Sequence, residues 1–195
     1  KIGHGGTYVG NTLFETDISL QVGGDLLLTG GTGANAHAFI GHGGQITVTG
    51  TVQNSDITID VLGDITLRSG TTNETAAQIG HGGWNTMALV VTDSNIAINT
   101  DTAFGGGNGN LSLLSTSQNG YAQVGHGGSR TDGNPGFGNK SGDITIGRIH
   151  DVTIRGGSTT DSYAQIGHGG EGGARGGTAG IISGNISAAI LGKLL

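Results

Sequence analysis

A histidine set between glycines recurs five times in this chain. The phrase IGHGG stands at residues 2–6, 40–44, 79–83 and 166–170, and VGHGG at 124–128. Its histidines, His4, His42, His81, His126 and His168, are spaced by 38, 39, 45 and 42 residues. Longer phrases recur around them. DITLRSGTTNETAAQIGHGG at 64–83 aligns without a gap to DVTIRGGSTTDSYAQIGHGG at 151–170. NLSLLSTSQNGYAQVGHGG at 110–128 aligns after one deletion, and DLLLTGGTGANAHAFIGHGG at 25–44 keeps the same outline. Such self-similarity marks an architecture in which each repeat buries its apolar face against the next.

The segments between the phrases are short and alternate polar with apolar residues. They are DISL at 17–20, QITV at 45–48, DITI at 56–59, NIAI at 95–98 and DITI at 143–146. Alternation over four residues, rich in Ile, Val, Leu and Thr, reads as a half-buried strand. Gly, Asn, Asp and Ser between them supply turns. Only AAILGKLL, at 188–195, could turn helical. So short a strand cannot bury a face alone, whereas stacked parallel coils can. The expected fold is therefore all-β, a parallel β-helix (β-solenoid). Three short strands and three turns suggest coils of roughly 20 residues, two to each GHGG repeat. Eight to ten such coils, rising about 4.8 Å each, would make a rod of roughly 40–50 Å. Residues 1–195 read as one solenoid segment, with loop excursions near 103–110, 129–142 and 171–180. The second excursion holds Pro135, the sole proline.

Composition narrows the function classes. With 43 glycines, one proline and no three-residue period, the chain is not collagen. It has no cysteine, so neither disulfides nor thiol chemistry enter. Fourteen acidic residues against eight Lys and Arg give a net charge of −6. Arg68, Arg130, Arg148, Arg155 and Arg175 are dispersed and define no basic track, so nucleic acid is not an expected partner. No apolar run reaches the length of a membrane span. The chain opens inside a repeat, at Lys1-Ile2-Gly3-His4, and reads as a piece of something longer.

Two readings of the repeated phrase stand side by side. In the structural one, glycines form a tight corner that a Cβ would block. Gly3, Gly5 and Gly6 would do so in the first copy, and Gly41, Gly43 and Gly44 in the second. Gly80, Gly82 and Gly83 follow, then Gly125, Gly127 and Gly128, then Gly167, Gly169 and Gly170. The preceding Ile or Val points into the bore, and the histidine bonds a neighbouring turn or stacks along the rod. In the other reading the histidines bind metal. Two coils apart, they would be separated by about 10 Å, too far to share one zinc ion. His37 and His150 add no recurring second ligand, so no metal site and no cofactor is assigned. Asp17, Asp25, Asp56, Asp64, Asp143 and Asp151 precede strands, where each can cap its own turn. Calcium is the alternative for such acids, but GGTGAN at 30–35 and GGNGNL at 106–111 lack the repeated acid of calcium solenoids.

Catalysis is harder to place. Asp60 with Asp64, or Glu15 with Asp17, could pair as acid and base in a solenoid polysaccharide lyase or glycoside hydrolase. No Rossmann, phosphate-loop, HExxH or serine-elbow motif occurs. An ice-binding solenoid would need aligned threonines, which NIAI at 95–98 and IISG at 181–184 interrupt. Trp84, Tyr8 and Phe137 are rings in turns, and Trp84 and Phe137 are the candidates for surface contact with a sugar or another chain. Tyr121 and Tyr163 share one place in the repeat, which suggests a structural role.

The phrases AAQIGHGG at 76–83, YAQVGHGG at 121–128 and YAQIGHGG at 163–170 resemble those of filamentous-haemagglutinin-like large exoproteins. These are bacterial adhesins of the two-partner secretion class. The likeness runs from His4 through His168. It implies a right-handed parallel β-helix, export through an outer-membrane secretion partner and display at the bacterial cell surface. It also implies a non-enzymatic shaft for cell attachment, aggregation or biofilm formation. The expected partners are a glycan, a host or bacterial surface receptor, or identical shafts. No secretion-recognition domain is recognisable in this stretch, and the resemblance carries over no catalytic residue.

Overall fold

The computed structural model describes residues 1–5, 8–9, 12–43, 46–47, 50–84, 89–100, 109–128, 138–170 and 180–195. Among these there is no helix, and the strand pairs are parallel. The chain winds through four sheets in turn and then repeats the circuit. Sheet I stacks Thr12–Phe14, Gly50–Gln53, Leu89–Thr92, Lys140–Ser141 and Ile182–Ser183. Sheet II stacks Ile18–Val22, Ile57–Val61, Ile96–Asn99, Ile144–Ile149 and Ile186–Ile190. Sheet III stacks Leu26–Thr29, Ile65–Arg68, Leu111–Leu114 and Val152–Arg155, with Leu194 bridged to Val152. Sheet IV stacks Ala38–Ile40, Ala76–Ile79, Tyr121–Val124 and Tyr163–Ile166, with Ile2 bridged to Ile40. A fifth, two-stranded sheet pairs Tyr8–Val9 with Ile46–Thr47 between the GHGG corner and sheet I.

The coil is one whole GHGG repeat, not half of one. Ile57 pairs with Ile18 below and Ile96 above, and Ile65 pairs with Leu26 and Leu111. The similar segments at 56–59 and 64–67 are therefore neighbours within one coil, on adjacent sheets, rather than layers of one stack. The expected 20-residue coil with two coils per repeat is corrected accordingly. Five strands in sheet II span four spacings, about 19 Å, so the rod is about half the length anticipated. The physical reason lies at the corner, where only another GHGG fits against a GHGG.

Like residues fill the bore in columns. Ile18, Ile57, Ile96, Ile144 and Ile186 stand directly over one another on sheet II. Leu26, Ile65, Leu111 and Val152 do the same on sheet III. In the middle coils these side chains are fully buried, each contributing roughly 1.5–3 kcal/mol. Residues 188–190 continue a strand of sheet II, so AAILGKLL begins extended rather than helical. The β-branched residues of IISGNISAAI hold it there against the sheet.

Leu111 follows Asn99 by twelve positions, whereas their partners Asp60 and Ile65 are five positions apart. Residues 101–108, between sheets II and III in the chain, are outside the described set, and Gly109 and Asn110 stand on the stack, accepting from His150 N and Ile65 N. Of the segment 129–142, residues 138–142 belong to the stack, with Lys140–Ser141 in sheet I. Of 171–180, only Gly180 is described.

Candidate functional site

Each GHGG phrase turns the chain from sheet IV toward sheet I, and its five copies lie one above another. The histidine rings stack in a single ladder. Successive centroids from His4 to His168 are 5.3, 5.1, 4.9 and 4.7 Å apart, with interplanar angles of 8° or less. The 10 Å separation expected from a two-coil repeat is thus replaced by one coil rise.

From His42 to His168 both ring nitrogens are committed. The backbone N–H of His4 donates to Nδ1 of His42 at 3.1 Å. His42 donates likewise to His81, His81 to His126 and His126 to His168, each at 3.0 Å. A backbone N–H can only donate, so each of these Nδ1 atoms is an acceptor and the ring proton sits on Nε2. That Nε2–H donates to a carbonyl at the sheet I–II corner. The acceptors are Thr16, Ser55 and Ser94 at 2.7 Å for His42, His81 and His126, and Gly142 at 2.8 Å for His168. Each ring therefore bolts its own coil across the bore side of the corner and also holds the coil before it.

This arrangement fixes the neutral form. A proton on Nδ1 would face the N–H it should accept from. Burial pushes the pKa of His42 and His168 down, that of His81 down to about 3 and that of His126 well below the ordinary histidine value. Neighbouring histidines a ring apart push His81 and His126 further the same way. A metal ion would need an Nδ1 or Nε2 lone pair that the fold already uses. Among the described residues no group of three or more His, Asp or Glu side chains is placed to hold one.

The glycines explain themselves by contact. A Cβ on Gly41, Gly80 or Gly125 would lie 1.9–2.0 Å from the carbonyl oxygen of Gly80, Gly125 or Gly167 in the next coil. The second glycine, Gly5, Gly43, Gly82, Gly127 or Gly169, has φ between 80° and 99°, which side chains rarely adopt. The third is crowded as well: a Cβ on Gly128 would meet the Tyr121 hydroxyl at 2.5 Å, and one on Gly170 the Tyr163 hydroxyl at 2.3 Å. Gly83 is buried, while Gly6 and Gly44 lie outside the described residues. Gly3, His4 and Gly5 form the exposed end of the ladder.

The glutamine of the same phrase is a functional part of the corner that sequence reading passed over. Gln78 Nε2 donates to Gly125 O at 2.9 Å and to Gly127 O, in the coil above. Gln123 donates to Gly167 O and Gly169 O at 3.0 and 2.8 Å. The Tyr121 hydroxyl donates to Gln78 Oε1 at 3.0 Å, and the Tyr121 and Tyr163 rings stack 5.3 Å apart. In the first coil the aligned residue is Phe39 rather than Gln. Its ring stacks on His37 at 5.4 Å, and Trp84 lies 6.3 Å from His37. Trp84 is half-buried against Phe39, Ala76 and Tyr121, so it is a lid on this cluster more than a surface ring. Phe137 and the Tyr8 side chain lie outside the described residues.

The aspartates also act between coils rather than within one turn. Asp17 Oδ1 accepts from Asp56 N, Asp56 from Asn95 N, Asn95 from Asp143 N and Asp143 from Asn185 N, at 2.8–2.9 Å. Asp25, Asp64, Asn110 and Asp151 form a second such column. The self-capping expectation is corrected: each side chain serves the N–H one coil on. Asp60, in turn, accepts from Asn99 Nδ2 at 2.9 Å, and Glu15 accepts from Gln53 Nε2. The two carboxylate pairs considered for catalysis are thus parts of inter-coil ladders. Lys140 is a further surprise. It continues the inward column of Phe14, Val52 and Val91, with Nζ bonded to Leu89 O and Gly138 O. Burial pushes its pKa down to about 8. Compared with protein-family models, curated proteins and solved structures, the chain has no significant match.

Proposed function

We propose that this chain is part of a non-enzymatic extracellular shaft of a bacterial surface adhesin. In this reading it holds adhesive surfaces away from the cell and supports attachment, aggregation or biofilm formation. The observation that carries the reading is the GHGG ladder itself. The most repeated residues of the chain are spent on bonding one coil to the next, with both ring nitrogens occupied, rather than on an open reactive centre. Such a corner yields stiffness and extendability, since each added repeat meets the same partner.

The resemblance of the YAQ-GHGG phrase to filamentous-haemagglutinin-like exoproteins supports the finer parts of the proposal. These are a right-handed winding, the usual sense for parallel crossovers, export by an outer-membrane partner, and a glycan, a surface receptor or an identical shaft as ligand. The test is attachment of beads coated with the purified chain to bacterial and epithelial cells, alongside incubation of the chain with a polysaccharide panel. Attachment or bead aggregation without new reducing ends is the expected result. Polysaccharide cleavage, or attachment no greater than that of uncoated beads, overturns the reading.

A further inference from the structure

The turn from sheet III to sheet IV has a different character from the GHGG corner. It encloses a groove of about 720 Å³ that runs across four coils, within the size range of ligand sites. Its floor is backbone. A Cβ on Gly70 would lie 2.0 Å from Gly31 O, and one on Gly30 would lie 2.6 Å from Gly70 N, so the coils meet there as tightly as backbone allows. Its edge is set by the last position of each sheet III strand, which runs Thr29, Arg68, Leu114, Arg155 in direct register. Exposed hydroxyls of Thr32, Thr71, Thr116 and Ser158 line the other side.

Among the described residues no acidic side chain lines the groove. Arg68 and Arg155 are exposed, and neither guanidinium has an ion-pair or hydrogen-bond partner among the described residues. Two of the eight basic residues in a chain of net charge −6 therefore line one trough, with no acidic partner among the described residues. They are two coils apart, about 9.6 Å along the axis, with half-buried Leu114 between them.

We infer that this groove binds a linear carboxylated polysaccharide laid along the solenoid axis, with one carboxylate on every second sugar. Guanidinium groups match carboxylates in paired hydrogen bonds. The two arginines would take successive uronates, Leu114 the apolar face of the uncharged sugar between them, and the exposed hydroxyls the sugar hydroxyls. The inference deepens the shaft reading by naming a ligand class, and it rests on that reading only in placing the groove where extracellular polysaccharide is present. Binding by the purified chain is measured apart from cell attachment, so either can fail alone.

The experiment is calorimetric titration of the chain with a hyaluronan octasaccharide, in which charged and uncharged sugars alternate. A neutral chitin oligomer and an oligogalacturonate, charged on every ring, are the comparisons. Hyaluronan should bind best, and the exposed double variant R68Q/R155Q, checked for an unchanged far-ultraviolet spectrum, should weaken it by about tenfold or more. Leu114→Arg should shift preference toward oligogalacturonate. Absence of hyaluronan binding at millimolar concentration, equal binding of the neutral oligomer, or unchanged affinity in the double variant overturns the inference. Wild-type preference for oligogalacturonate also overturns it.

Discussion

The strand of sheet IV is flanked by two turns that obey opposite rules. After it comes the GHGG corner, where His81 and His126 are fully buried and a histidine between glycines returns in every coil. Before it comes the groove turn, where Thr32, Thr71, Thr116 and Ser158 are exposed and the edge runs Thr, Arg, Leu, Arg. The first turn has its own neighbour as ligand, so its chemistry must repeat with the coil. The second has solvent as neighbour, so each coil is free to differ. Internal repetition thus marks what holds the stack, and its breakdown marks where another molecule can be met.

The sharpest way to break this contrast is to add one methyl group at each kind of turn. In Gly125→Ala the new Cβ would sit 1.9 Å from Gly167 O at a φ of 152°. Neither backbone can retreat, because Gly125 N donates to Ile79 O and Gly167 N to Val124 O, each at 2.9 Å. The expected loss exceeds about 4 kcal/mol, enough to abolish the cooperative unfolding transition. Gly33, in the groove turn between sheets III and IV, has nothing within 4 Å of the equivalent position. Gly33→Ala should leave the denaturant midpoint unchanged or raise stability slightly, by about 0.4–1 kcal/mol. Similar losses in both variants would mean that the corner is not specially packed.

Acid probes the same corner chemically. Above the ordinary histidine pKa the ladder rings are neutral both folded and unfolded, so pH has no leverage through them. Below it, an unfolded ring takes up a proton near pH 6.5 while His81 stays neutral in the fold down to about 3. The unfolded state then binds more protons, and stability falls as pH falls. At pH 5 the loss through such a ring is about 2 kcal/mol, and His126 adds to it in the same direction. Guanidinium unfolding from pH 7.5 to 4 should show a plateau and then a steady decline beginning near 6.5. Nitrogen-15 spectra should report an Nε2–H tautomer for His42, His81, His126 and His168. A flat profile to pH 4, or Nδ1–H tautomers, would contradict the ladder.

Much of this was readable in the chain, and the unread part has a common cause. Alternation in DITI and NIAI gave strands, and the return of IGHGG gave a stacked solenoid with histidine at a corner. Coil length was misjudged because 56–59 and 64–67 carry nearly the same letters for different sheets; only the partner of each, Ile18 or Leu26, tells them apart. The His81-to-His126 and Asp17-to-Asp56 bonds join residues 45 and 39 positions apart, so local rules assigned the aspartates to their own turns. Arg68 and Arg155 looked dispersed because 87 residues of sequence separate them, whereas the coil brings them within two strand spacings. Lys140 follows no apolar pattern, yet its stem fits a valine column because Nζ reaches two carbonyls.

The smallest expected effect separates inter-coil from intra-coil bonding by a single residue type. Gln78 is fully buried and donates to the coil above while accepting from Tyr121. Gln165 has the same sequence context, but it is half-buried and donates to Gly167 O and Gly169 O of its own corner, at 3.1 and 2.8 Å. Gln78→Ala should cost about 2–4 kcal/mol, because it strands two glycine carbonyls and the Tyr121 hydroxyl. Gln165→Ala should cost under about 1 kcal/mol, since water can replace its contacts. Denaturant midpoints at constant slope measure both. If the two losses are equal, the glutamine shapes its own turn and the coils are held by the histidine and backbone bonds alone. If they differ as expected, YAQ and GHGG are one device, in which each coil carries the donors that close the corner of the next.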